Sequence, residues 1–240
     1  MNTWLLEWKD AFILNFIDDD RWLYLVKGLG VTLTVTLFSL LLGTLIGVLC
    51  AMVRSAWDQN KNDLLPGPGK FLFGLLNQIV RGYVTVIRGT PVVVQLLIGY
   101  FIIFVATTNT VLVASLVFGI NSGAYITEIV RSGIMSVDAG QSEAGRSLGC
   151  SYIQTMRFVI IPQAFKVVLP TLANEFIALL KETAVCGYIG LTDLTKAGDI
   201  IRGATFSAFM PLVAVALIYL LFVLLFSGLI SKLEQRLRVC

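Results

Sequence analysis

The chain has 240 residues, 57% of them hydrophobic and only 14% charged, with a mean hydropathy of +0.84. Water-soluble domains carry about a quarter charged residues, so this balance excludes an ordinary soluble fold and points to lipid as the solvent. A net charge of +3 without a long Lys/Arg block excludes a nucleic-acid surface, and the absence of His removes the commonest general base and metal ligand.

Residues 1–27 do not read as a cleavable signal, because Glu7, Asp10 and Asp18-Asp19-Asp20 stand where a basic start is wanted. With Trp4, Trp8, Phe12 and Trp22 among them, they are expected to form an external, partly amphipathic segment at the membrane surface. Residues 28–240 then form one transmembrane domain. A ~30 Å hydrocarbon core needs about 20 apolar residues per helix. Spans are predicted over about 29–53, closed by Arg54, then 83–105, 111–129, 167–189 and 209–230. The fourth is the weakest, since it carries Asn174, Glu175, Lys181 and Glu182. The expected fold is an all-α polytopic membrane protein of about five transmembrane helices.

The placement of Lys and Arg sets the orientation. With the N-terminus outside, twelve basic residues fall in inner segments and five, Lys9, Arg21, Lys27, Lys196 and Arg202, in outer ones. The N-terminus is therefore expected outside and the C-terminus in the cytoplasm. Gly43 and Gly47 in the first span, and Gly119 and Gly123 in the third, have the small-xxx-small spacing that lets helices approach closely in lipid. The cysteines Cys50, Cys150, Cys186 and Cys240 are scattered and read as small apolar fillers.

Two inner loops carry the remaining information. In the first, 55–82, Pro66-Gly67-Pro68-Gly69 reads as a turn into a short amphipathic piece. Gly67-Pro68-Gly69-Lys70-Phe71 lacks the GxxxxGK[ST] spacing of a phosphate loop, so no nucleotide site is expected in this chain. The second, 132–166, contains Gly140-Gln141-Ser142-Glu143-Ala144-Gly145-Arg146 and, after Gly149, Val159-Ile160-Ile161-Pro162. Ser142 and Glu143 favour a helix start, Gly149 permits a turn, Tyr152 to Val159 favours a second short helix, and Pro162 is expected to reset the backbone before the fourth span.

Glu143-Ala144, Gly149 and Val159-x-Ile161-Pro162 closely resemble the EAA loop of ABC importer permeases. Arg88-Gly89-Thr90-Pro91 with Gln95, the run from Ala124 to Arg131, Leu180-Lys181-Glu182-Thr183 and Leu191-Thr192-Asp193-Leu194 resemble the polar amino acid branch of that family. Gly145 stands where the family usually has a second Ala, at a helix-propensity cost of about 1 kcal/mol. The resemblance implies a coupling helix in which Glu143, Ala144, Gly145 and Gly149 meet a cytoplasmic ATPase, with Val159, Ile161 and Pro162 in the same docking loop. It implies a second permease copy or sister subunit, two ATPase subunits that bind ATP and Mg, an external solute-binding protein, and import of a polar amino acid through the bacterial cytoplasmic membrane. No catalytic residue, metal or cofactor is expected in this chain.

Thr171, Glu175, Ala178 and Glu182 are spaced by four, three and four, so they share one helical face. A charge at mid-membrane costs at least ~2.5 kcal/mol, so this face is expected to line the solute pathway or to pair internally. Pairing of Glu128 with Arg131 is the comparable internal alternative. Arg88 is expected to close an inner gate or hold the loop, or only to snorkel to the surface. A passive or ion-coupled cation or amine transporter would suit the same acids, but needs no coupling loop. An intramembrane enzyme lacks both HExxH and GxSxG.

Overall fold

Residues 3–61 and 65–239 are described by a computed structural model, and among them the secondary structure is helical throughout. Cys240 lies outside the described residues, as do the side chains of Trp4 and Arg238. Among the described residues, four helices are long and apolar enough to cross a membrane, or five if one broken pair counts as a single span.

After α1 (Thr3–Phe12), α2 runs over Trp22–Asn60 for 39 residues. At 1.5 Å per residue that is about 58 Å, well past the predicted 29–53. Arg54 does not end the helix, because it and Asp58 find ionic partners on a neighbouring helix. The boundary expected between residues 27 and 28 falls inside α2.

The span predicted over 83–105 is not one helix. The chain instead forms α3 (Pro68–Arg88) and α4 (Val92–Ile98), followed by a π turn at Gly99–Ile103. Pro91 causes the break: it cannot donate to the helix ladder and disfavours helical geometry at Thr90. The short amphipathic piece is therefore a 21-residue helix started by Pro68 at its first turn. The third span is α5, Thr110–Met135. Next come α6 (Ala139–Ser147), α7 (Tyr152–Thr155), a π turn at Met156–Ile160 and α8 (Ile161–Glu182), which passes into a 3-10 turn at Thr183–Ile189. Helices α9 (Leu194–Thr205) and α10 (Phe209–Val239) complete the chain.

Pro162 does not reset the backbone. Tyr152–Ile189 is one continuous candidate span, because the wide π turn just before Pro162 relieves the clash its ring would make with the carbonyl four residues back. Nor did the sequence announce α9. Its signal is Asp193, whose carboxylate accepts from the amides of Thr195 at 3.0 Å and Lys196 at 3.2 Å.

The chain divides into two compact units. The first comprises Met1–Ser39, Val92–Phe118 and Ile177–Gly228, and the second Leu40–Pro91, Gly119–Phe176 and Leu229–Cys240. In the first, Phe16, Leu25, Leu194, Ala197, Ile201 and Val215 form one buried apolar cluster. Buried polar contacts tie it together: Thr32 accepts from the Leu194 amide at 3.1 Å, and Thr205 donates to Asn15 at 2.8 Å.

In the second unit, Ala51, Ile126, Val130, Ile134, Ile160, Ala164 and Val168 form the core. The two glycine pairs meet here. A Cβ at Gly43 would lie 3.1 Å from the Gly119 carbonyl oxygen, and one at Gly47 would lie 2.5 Å from Ile126. Where lipid supplies no hydrophobic drive, this backbone approach of α2 and α5 is what dispersion attraction requires.

Candidate functional site

The segment between α5 and α8 folds as a tight helical hairpin. Asp138, not Ser142, starts α6: its carboxylate accepts from the Gly140 amide at 2.7 Å, while Ser142 lies within the helix. Gly149, at φ +77°, ends it in a conformation that costs other residues strain. The Gly149 amide bonds the Arg146 carbonyl and the Cys150 amide bonds that of Gly145, at 2.9 and 3.0 Å. That pairing is a Schellman closure. Ser151 and Gln154 then form a reciprocal capping box that starts α7. Its Ser-x-x-Gln pattern is legible in the sequence.

Of the docking residues, Glu143, Ala144 and Gly149 are exposed. Gly145 is not presented, contrary to expectation. It is buried against Thr155, and a Cβ there would lie 2.7 Å from Thr155 Oγ1. Gly at this position therefore serves the close approach of α6 to α7. Ile161 and Pro162 are exposed, whereas Val159 is half-buried against the apolar core. The tip between the helices shows Leu148 at 84% and Ile153 at 74% exposure, flanked by Glu143 and Arg146. A cavity of about 340 Å³ separates the hairpin from the last residues of α2, lined by Gln59, Asn60, Asp138, Glu143, Arg146 and Tyr152 among others.

On α8, Glu175 accepts a hydrogen bond from Ser122 at 3.0 Å, a partner the sequence did not suggest. Thr171 is exposed and returns its hydroxyl to the Val167 carbonyl, while Ala178 and Glu182 are half-buried. Thr171 and Glu175 belong to the second unit, and Ala178 and Glu182 to the first. Arg88 stacks over the Tyr125 ring, 5.0 Å from its centroid. Glu128 pairs with Arg131 at 3.0 Å, the internal pairing the sequence allowed. Two further charges join them: Arg54 lies 3.7 Å from Glu128, and Arg131 lies 3.2 Å from Asp58. The four-residue spacing of Arg54 and Asp58 puts both on one face of α2 and was the missed signal.

Residues 67–239 match the family model described as "Binding-protein-dependent transport system inner membrane component". The "Putative glutamine transport system permease protein GlnP" of Rickettsia bellii is 35% identical over 220 residues, covering 90% of this chain and 94% of its own. The "Glutamine transport system permease protein GlnP" of Escherichia coli is 34% identical over 221 residues, covering 90% and 93%. A solved structure titled "Crystal structure of an amino acid ABC transporter with histidines" superposes with a TM-score of 0.78 at 39% identity, covering 89% of this chain and 94% of that one. With the family model matched over residues 67–239 and with these relatives, the chain belongs to the inner-membrane components of binding-protein-dependent transport systems.

Proposed function

We propose that this chain carries a polar amino acid inward across the cytoplasmic membrane and is driven by an ATPase that docks on the hairpin of α6 and α7. By its family, the chain is a bacterial inner-membrane ABC importer permease and not an enzyme. Such a permease works with an ATPase and a substrate-binding protein. The glutamine and amino acid systems among its relatives support the substrate class.

The observation that carries the ATPase reading is the hairpin itself. A closed helix–turn–helix with exposed Leu148 and Ile153 at its tip and Glu143 and Arg146 beside them suits an apolar cleft rimmed by charge. Gly149 matters for the turn rather than for contact. ATP and Mg belong to the docked subunit, whose closure would drive the hairpins and rock the spans between two states. This reading keeps the N-terminus outside, the C-terminus in the cytoplasm, and a second permease copy or sister chain alongside.

For the pathway, Thr171, Glu175, Ala178 and Glu182 form the candidate face, with Glu175 or Glu182 meeting the cationic group of the solute. Co-purification with candidate ATPases, followed by ATPase stimulation by amino acids and their binding protein, tests the reading. Gly149→Trp should abolish stimulation while the chain still inserts. Stimulation at the unaltered level would remove the hairpin from the coupling role.

A further inference from the structure

We propose that Arg131, held between Glu128 and Asp58, is a positioning residue that transmits displacement of the α6–α7 hairpin to α2. The inference rests on the coupling role proposed above and names where the load enters the first span.

The apolar core of the second unit is drawn mainly from α5 and α8: Ile126, Val130 and Ile134 from one, Ala164 and Val168 from the other, with Ile160 between. From α2 it takes only one buried residue, Ala51, with Leu40 and Val48 packed beside it. Beyond Ala51 the contacts of α2 change in kind. Arg54 lies 3.7 Å from Glu128, and Asp58 lies 3.2 Å from Arg131. Asn60, in the last turn of α2, lines the same cavity as Tyr152, the first residue of α7. That cavity, of about 340 Å³, leaves packing incomplete between the last turn of α2 and the hairpin.

Apolar side chains packed without voids resist sliding, because any shift opens space. Charged pairs lock a register yet can exchange partners. Arg131 bonds Glu128 on its own helix and Asp58 on α2, at 3.0 and 3.2 Å. It therefore fixes the register of α2 on α5 at the end nearest the hairpin. The pair is mostly but not fully shielded, with 28% of each of the Arg131 and Asp58 side chains exposed. Water still reaches these pairs, which weakens their contribution to stability and leaves positioning as the effect tested.

The test uses the reconstituted complex of permease, ATPase and binding protein, reading three quantities: basal ATP hydrolysis, its stimulation by loaded binding protein, and solute moved per ATP. Asp58→Asn and Arg131→Gln should leave assembly and basal hydrolysis near wild type. Stimulation and solute per ATP should fall by between roughly twofold and thirtyfold, the range over which residues on a coupling route act. Exchanging the pair, Asp58→Arg with Arg131→Asp, sets two cations on α2 against two anions on α5 and should recover much of the loss. Unchanged solute per ATP in both single variants overturns the inference. So does a loss of assembly, thermal stability and basal hydrolysis together that the exchange does not repair. A wild-type chain that binds no ATPase would instead refute the coupling role itself.

Discussion

Gly145 packs directly on Thr155, and any Cβ at 145 would sit 2.7 Å from both Cγ2 and Oγ1 of that side chain. The two residues set the spacing of the hairpin helices. Thr155 Oγ1 is also buried without a hydrogen-bond partner. Gly145→Ala should gain about 1 kcal/mol of helix propensity but lose ~1–3 kcal/mol to overpacking, a net destabilisation on the order of 1 kcal/mol. Gly145→Ala combined with Thr155→Ala should be more stable than Gly145→Ala alone, and Thr155→Val should be neutral or stabilising by up to ~1 kcal/mol. Thermal unfolding in detergent checks all three. A Gly145→Ala chain more stable than wild type would show that the contact is not limiting.

The same logic applies where α2 meets α5. A Cβ at Gly47 would come within 2.5 Å of Ile126 Cγ2, whereas Gly30, on the same helix, has nothing within 4 Å. Gly47→Ala should therefore cost about 1–3 kcal/mol through strain at the interface. Gly30→Ala should stabilise by roughly 0.4–1 kcal/mol through the unfolded chain. Opposite signs in thermal melts of the two variants are the expected result, and equal shifts would contradict the close approach.

Glu175 combines a structural bond with a candidate transport role, and the two separate by substitution. Glu175→Gln keeps an oxygen to accept from Ser122, so insertion and melting temperature should hold near wild type. Loss of the charge should lower uptake of a cationic solute about tenfold, the difference between a charge-assisted and a neutral hydrogen bond. Uptake in vesicles, with Glu182→Gln in parallel, identifies which acid meets the solute. Wild-type uptake by both variants would return the face to a purely structural role.

Two acids that belong to α9 should respond to pH with opposite sign. Lys196 and Arg202 hold Asp199 below the usual carboxylate range. Its contribution is therefore full above the unfolded value and is lost as pH falls through the depressed folded one. Burial pushes the Asp193 carboxyl up, against the amides that stabilise its anion. Its protonated form is thus favoured by folding, and ionising it costs stability as pH rises through the raised folded value. Asp199→Asn should flatten the acid limb of a melting temperature against pH curve. Asp193→Asn, which keeps one of the two cap bonds and removes a buried charge, should be close to neutral at pH 7, while Asp193→Ala should lose about 1 kcal/mol. Identical pH curves for wild type and Asp199→Asn would remove that residue from the account.

How legible these features were depended on the range of the interactions behind them. The glycine pairs Gly43/Gly47 and Gly119/Gly123 were visible as spacing on single helices, and their facing one another followed once α2 and α5 were neighbours. The hairpin was readable because caps and turns are local, although Asp138 was overlooked in favour of Ser142. The break at Gly89–Pro91 was missed because apolar runs flank it on both sides, and average hydropathy does not register a lost backbone donor. Helix α9 was missed because an amphipathic segment between spans carries no long hydrophobic signal.

By itself the sequence determined the class of solvent, the approximate spans and the turn chemistry of the hairpin, because hydropathy, Gly, Pro and capping residues act over a few positions. Tertiary structure alone decided the partners. It put Thr155 under Gly145, Ser122 on Glu175 and Asp58 on Arg131, contacts between residues 10, 53 and 73 positions apart in the chain. No local propensity encodes such pairings; they exist only once helices have chosen their faces and registers.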